Sequence, residues 1–129
     1  MSKKEHWASE PEPHDYPAAA DYLALLAGDD VVASTLEALR LAPVVHKKAK
    51  DLLRASRLEL LPTTDIEVAA DLKKVKDGEA LSPVLLVRGR LEIDAPLIIA
   101  DGYHRICASY HLDENAAIPC KIAEPHRPD

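Results

Sequence analysis

The chain has 129 residues, 47% of them apolar and 29% charged, with a formal net charge of −6 at neutral pH. That length suits one domain with a modest core and is too short for two ordinary ones. No apolar run approaches the roughly 20 residues that a membrane-spanning helix needs, and the acidic balance disfavours DNA as a partner through a general basic surface.

Residues 1–15 mix Ser, Glu, Pro and His without periodicity and are expected to form a disordered N-terminal tail. Lys3 and Lys4 have no apolar stretch behind them, which speaks against an export signal. Cys107 and Cys120 are then expected to be reduced thiols in a cytoplasmic protein. In "PAAADYLALLAG", Pro17 suits a first helical turn and Gly28 is a stop signal. "DDVVASTLEALRLA" opens with two aspartates, which favour a helix N-terminus, and spaces Val32, Leu36 and Leu39 helically until Pro43. "VVHKKAKDLLRAS" predicts a third helix, with Val45, Ala49, Leu52 and Leu53 on one side and the lysines on the other. Residues 16–57 thus read as a helical extension. From His46 to Arg57, five cations oppose Asp51 alone, a local charge of +4 that leaves −10 for the rest. A solvated helix face and an anion or nucleic-acid contact are both compatible with it.

Residues 58–129 change character. "RLELLP" is a candidate strand stopped by Pro62. "TTDIEVAADLKKVKDG" carries a capping residue in front and Gly78 behind, so it predicts a helix. "SPVLLVRG" predicts a strand, "RLEIDAP" a hairpin or loop, and "LIIA" a buried central strand. A helix to about Leu112, a turn at "DENAA" and a last strand "IPCKI" complete the chain. The predicted order is α-α-α-β-α-β-β-α-β, a small α+β domain behind a helical extension.

One corner combines several rare residue types. In "PLIIADGYHRICASYHL" a buried strand runs into Asp101, Gly102, Tyr103, His104 and Arg105 at the start of a helix. The first amides of that helix point beyond the strand end and favour an anion. Gly102 permits close backbone approach. Asp101 can cap the helix or take a ribose hydroxyl or a metal. Cationic His104 and Arg105 oppose the helix dipole, and a bound phosphate or carboxylate reconciles them. The bland alternative is an ordinary Asp-Gly turn with a solvent-facing His-Arg pair. A metal site would draw on Cys107, His111 and Cys120, because His104 and His111 lie about 10.5 Å apart along the axis.

"IIADGYHRICASYHLDENAAIPCKI", with "LPTTDIEVAADLKKVKDGEALSPVLLV" upstream, resembles the core signature of the ParB/sulfiredoxin-like superfamily, in particular its "DGHHR" members. The resemblance covers about residues 58 to 122. It implies a mixed sheet with packed helices, and a nucleotide at the corner: CTP as in partition proteins, ATP as in sulfiredoxins, or ADP as in the free-serine kinases. Carried over, Gly102, His104 and Arg105 match the phosphate-binding corner, and Asp101 matches the acidic residue of the kinase-like members. Tyr103 stands where a sulfiredoxin has its cysteine nucleophile, so sulfinic-acid repair has no thiol at this position. A partition protein would carry a helix-turn-helix domain after this core, and the seven residues beyond Ile122 leave no room for one.

The resulting expectation is a small protein that binds a nucleotide (ATP, ADP or CTP, with or without Mg²⁺) or another phosphorylated ligand. Gly102, Tyr103, His104 and Arg105 would bind it, and Asp101 and His104 would be the catalytic pair if there is turnover. Phosphotransfer or nucleotide hydrolysis are then the reactions. Asp65, Glu67 and Asp71 are further carboxylates, and Lys73 and Lys74 further cations, on the preceding helix. The alternative is a non-enzymatic regulatory module that binds a protein or DNA through its locally basic N-terminal segment. A protein partner and a homodimer both stay open.

Overall fold

Val84–Val87 (β4) is apolar and buried at every position, and a strand of that kind needs cover on both faces. The computed structural model, which describes residues 5–126, supplies it. Val84 and Leu86 point to one side, with Ile99, Ile118 and Cys120 of neighbouring strands and with Leu52, Leu53, Val68 and Ile106 of three helices. Leu85 and Val87 point to the other, with Ala100 and Ala123 and with Ala19, Leu23, Leu36 and Leu39 of two more. The period-two alternation of a strand thus divides the core into two halves.

The elements in chain order are β1 (His6–Trp7), α1 (Asp15–Leu23), α2 (Asp29–Leu41), β2 (Val45–Lys48), α3 (Ala49–Ser56) and α4 (Ile66–Lys76). They continue with β3 (Ala80–Leu81), β4, a 3-10 turn at Leu91–Ile93, β5 (Ile98–Asp101), α5 (Tyr103–Leu112) and β6 (Ala117–Ala123). The main sheet has the order β2-β6-β4-β5. β4 runs parallel to β6 and antiparallel to β5, and β2 is antiparallel to β6. Helices α1 and α2 cover one face, and α3, α4 and α5 the other. The fold is α+β with mixed strand pairing, as the sequence implies. No helix among the described residues is long and apolar enough to cross a membrane.

Five local expectations are corrected. The segment expected as a disordered tail is docked from residue 5 onward: β1 pairs in parallel with β3, Ser109 Oγ donates to the Glu5 carboxylate, and Trp7 packs on the core. Residues 1–4 lie outside the described part. The third helix begins only at Ala49, because Val45–Lys48 forms an edge strand on β6 instead. Its exposed His46, Lys47 and Lys48 suit an edge, where charge discourages further pairing. "RLELLP" forms no strand. The strand at "LIIA", expected to be central, lies at the sheet edge as β5, while β4 and β6 take the centre. Finally, residues 16–57 are built into the domain rather than appended to it, since they contribute one strand of the sheet and the whole cover of one face.

The β4–β5 ladder shifts register between Leu85 and Leu86, with Leu85 opposite Asp101 and Leu86 opposite Ile99. Irregularities of this kind re-aim a strand end. This one lies at the corner that the sequence singles out.

Candidate functional site

Gly102 is the hinge of that corner. Its φ of +112° lies in the region that side chains avoid, and an added Cβ would sit 2.3 Å from Val84 Cγ1. Only glycine lets the chain turn here against β4. It is also the residue before the first turn of α5, and no side chain caps that helix. Asp101, one candidate for the cap, turns elsewhere: Arg105 Nη2 donates to its Oδ2 at 2.8 Å.

The corner opens into a cleft of about 290 Å³. Because Gly102 has no side chain, it lines this cleft with backbone. His104 and Arg105 line it from α5, Glu67, Asp71 and Lys74 from α4, and Ser82 from the entry to β4. The remaining wall comes from the N-terminal strap and α1, through Glu12, His14 and Asp15. Five carboxylates (Glu12, Asp15, Glu67, Asp71, Asp101) thus face two permanent cations, Lys74 and Arg105.

Arg105 is held inside the protein. Beyond its bond to Asp101, its Nη1 donates to Ser82 Oγ at 2.8 Å and lies 3.6 Å from Asp15 Oδ1. Its side chain is 15% exposed, and its Nε is buried with no hydrogen-bond partner among the described residues. The conflict between a cation and a helix N-terminus is therefore relieved for Arg105 by two carboxylates of the protein itself. His104 has no comparable carboxylate neighbour among the described salt bridges.

Burial pushes the Asp101 carboxyl above its ordinary value; Arg105 pulls it back, and Asp15 pushes it further up. Burial likewise raises Asp71, against the pull of Lys74, Arg105 and His104. Two acids of the cleft thus hold a proton more readily than free carboxylates do.

Of the residues expected at the site, Asp101, Gly102, His104 and Arg105 meet in the cleft, whereas the Tyr103 side chain leaves it. The Tyr103 hydroxyl donates to the Glu59 carbonyl, and the partly buried ring packs against the larger core cluster. Glu67, Asp71 and Lys74 reach the cleft, while Asp65 caps α4 and Lys73 pairs with Asp77 at 2.7 Å. Cys107 is buried core, and burial raises its thiol. The candidate metal set does not assemble. His111 Nε2 bonds the Leu61 carbonyl at 2.7 Å, and Cys120 lies in the sheet beside the Val45 carbonyl. Among the described residues, no three His, Cys, Asp or Glu side chains are grouped to hold a metal ion.

Sequence reading missed Glu12, His14 and Asp15, which fall in the segment taken as tail. The available signal was the density of acids and histidine in "EPEPHDYP", directly before a helix start.

No family model, curated protein or solved structure matches the chain. The ParB/sulfiredoxin-like resemblance therefore rests on the motifs alone.

Proposed function

We propose that this cleft binds a phosphorylated small molecule, a nucleotide (ATP, ADP or CTP) together with Mg²⁺. One observation carries the reading: α5 has no side-chain cap, and it starts at a glycine whose backbone lines a polar cleft. Open amides at such a terminus suit a phosphate. The charge balance supports the metal. A bare polyphosphate would meet five carboxylates, whereas an Mg²⁺ complex brings part of its own compensation. The donor set fits that role and no more: Mg²⁺ is commonly held by one or two carboxylates plus substrate phosphates, and Asp101 and Asp71 are the two half-buried carboxylates that line the cleft beside the corner.

Within this reading the amides of the first turn, His104 and Lys74 take the phosphate. Asp101 takes a ligand hydroxyl or the metal. Arg105 orients Asp101 rather than gripping phosphate. Where there is turnover, the arrangement serves phosphotransfer or hydrolysis: a carboxylate near the phosphate accepts a proton from the attacking hydroxyl. Mg²⁺ would supply neutralisation of charge on the phosphate.

Calorimetric titration with ATP, ADP and CTP, each with and without Mg²⁺, tests the reading. One nucleotide is expected to bind with Mg²⁺ and more weakly without it, and His104→Ala to weaken it by about tenfold, near 1.4 kcal/mol. No heat from any of them in a folded sample ends it. The rival reading, a module that binds protein or DNA, retains one supporting feature in the exposed His46, Lys47 and Lys48 on edge strand β2. It requires salt-sensitive binding that charge reversal at Lys47 and Lys48 weakens and His104→Ala leaves intact.

A further inference from the structure

β2 stands at one edge of the main sheet, with β6 on one side and no strand on the other. Its register sets Val45 opposite Cys120 and Lys47 opposite Ile118, and both partners belong to the core under α3, α4 and α5. Val45 and Lys47 therefore share that face, and His46 and Lys48 take the other. His46, Lys47 and Lys48 are exposed. Of the cations that follow, Arg54 lies 3.7 Å from Asp51 and Arg57 pairs with Asp94. Lys47, Lys48 and Lys50 form no salt bridge among the described residues.

A second cavity, of about 280 Å³, opens beside this edge. Pro43, Val45 and Ile122 are the apolar part of its lining, and Lys47, Arg88 and Glu124 the charged part. Arg88 Nε donates to Glu124 at 2.8 Å, so Lys47 is the cation of the lining that a ligand can claim. Ser82 lines the cleft and Arg88 lines this cavity, which puts the two at opposite ends of β4.

The open edge, the unpaired lysines and the half-apolar cavity suit one kind of partner. A free strand edge gives main-chain hydrogen bonds to an added strand, and pockets along it select side chains. The lysines oppose a second copy of β2, which would set like charges against each other; the same charges attract an acidic strand. The four residues of β2 offer about 13 Å of edge, enough for a short extended segment. A nucleic acid fits less well. Outside His46–Arg57 the chain carries −10, and a polyanion that runs past the patch meets that charge.

We infer that β2 is a docking edge for a short acidic peptide in extended conformation. Its carboxylates meet Lys47 and Lys48, and one apolar side chain enters the cavity beside Val45 and Ile122. The inference makes the protein-binding alternative specific and does not depend on nucleotide binding at the cleft.

Nitrogen-15 NMR shift mapping on the full chain tests it, with a capped peptide of about six residues, glutamates around one central leucine, as the probe. At low salt the amides of Val45 to Lys48, Arg88 and Ile122 are expected to move, and those of Gly102 to Arg105 to stay. Lys47→Glu combined with Lys48→Glu is expected to weaken binding about tenfold or more, because it sets like charges together. Full N-methylation of the peptide backbone is expected to weaken it about as much by removing the main-chain bonds. Serine in place of the leucine is expected to silence Arg88 and Ile122. No movement at Val45 to Lys48 with about 1 mM peptide overturns the inference. So does equal binding of the N-methylated peptide, since charge attraction alone then explains the contact; this wild-type comparison decides should the double variant not fold. Single-stranded DNA that moves the same amides at lower concentration than the peptide also overturns it, and leaves the DNA form of the alternative standing. Peptide binding at β2 without nucleotide heat at the cleft keeps this inference and loses the nucleotide reading, and the converse result does the opposite.

Discussion

Helices α4 and α5 lie side by side on one face of the sheet, and their N-termini are finished in opposite ways. At α4, Asp65 Oδ1 accepts the Glu67 and Val68 amides, each at 3.0 Å, and the end is sealed. At α5, the residue in the capping position is Gly102, and the aspartate just before it bonds Arg105 instead. A chain that supplies a side-chain cap at one helix and withholds it at the neighbouring one is not short of capping chemistry. The difference teaches that capping is local to α4, and that the uncapped end beside the cleft is the one the proposed binding function would use.

The strongest way to break the contrast is to remove the turn that makes the open end. Gly102→Ala places a Cβ against the Val84 side chain at a φ of +112°. Left-handed strain of about 1–2 kcal/mol adds to overpacking of about 1–3 kcal/mol, so a loss near 3 kcal/mol is expected in denaturant unfolding. A loss below about 1 kcal/mol would show that the corner relaxes freely and that its geometry is not fixed by β4.

The sealed end should yield less. Asp65→Ala leaves two amides without their acceptor and is expected to cost about 1 kcal/mol. It should leave nucleotide binding unchanged, because Asp65 does not line the cleft. If Asp65→Ala and His104→Ala weakened binding alike, the two termini would not differ in kind.

This contrast was only half legible in the sequence. The continuous apolar runs in "SPVLLVRG" and "LIIA" locate β4 and β5 almost as observed along the chain, although β5 lies at the edge of the sheet and not at its centre. The corner was legible because Gly102 and its cationic neighbours break local rules together. "VVHKKAKDLLRAS" misled because its apolar positions suit a helix, whereas Val45–Lys48 gains more from pairing with β6; that gain is long-range and leaves no local trace. Arg105 misled for a similar reason. Its partner Asp15 lies ninety residues away in sequence and in a segment with no periodicity, so a carboxylate that turns the guanidinium inward was invisible. The strap itself is ordered by contacts such as Glu5 with Ser109, which composition cannot foretell.

The smallest expected effect concerns pH and sharpens the picture of Asp101. A carboxyl raised on folding binds its proton more tightly in the native state. Its contribution to stability is fully present below the unfolded value and is lost as pH rises through the native one. Asp101, Asp71 and Glu5 are all raised, chiefly by burial. Acidification from pH 7 toward the carboxylate range should therefore raise the melting temperature modestly. Asp101→Asn removes one of the three groups, and its melting temperature should vary less over the same window. The difference between the two curves isolates Asp101 from the general approach to zero net charge, which both proteins share. Parallel curves would mean that Arg105 compensates the buried carboxyl fully, and that the open end of α5 is flanked by a settled ion pair rather than by an acid awaiting a partner.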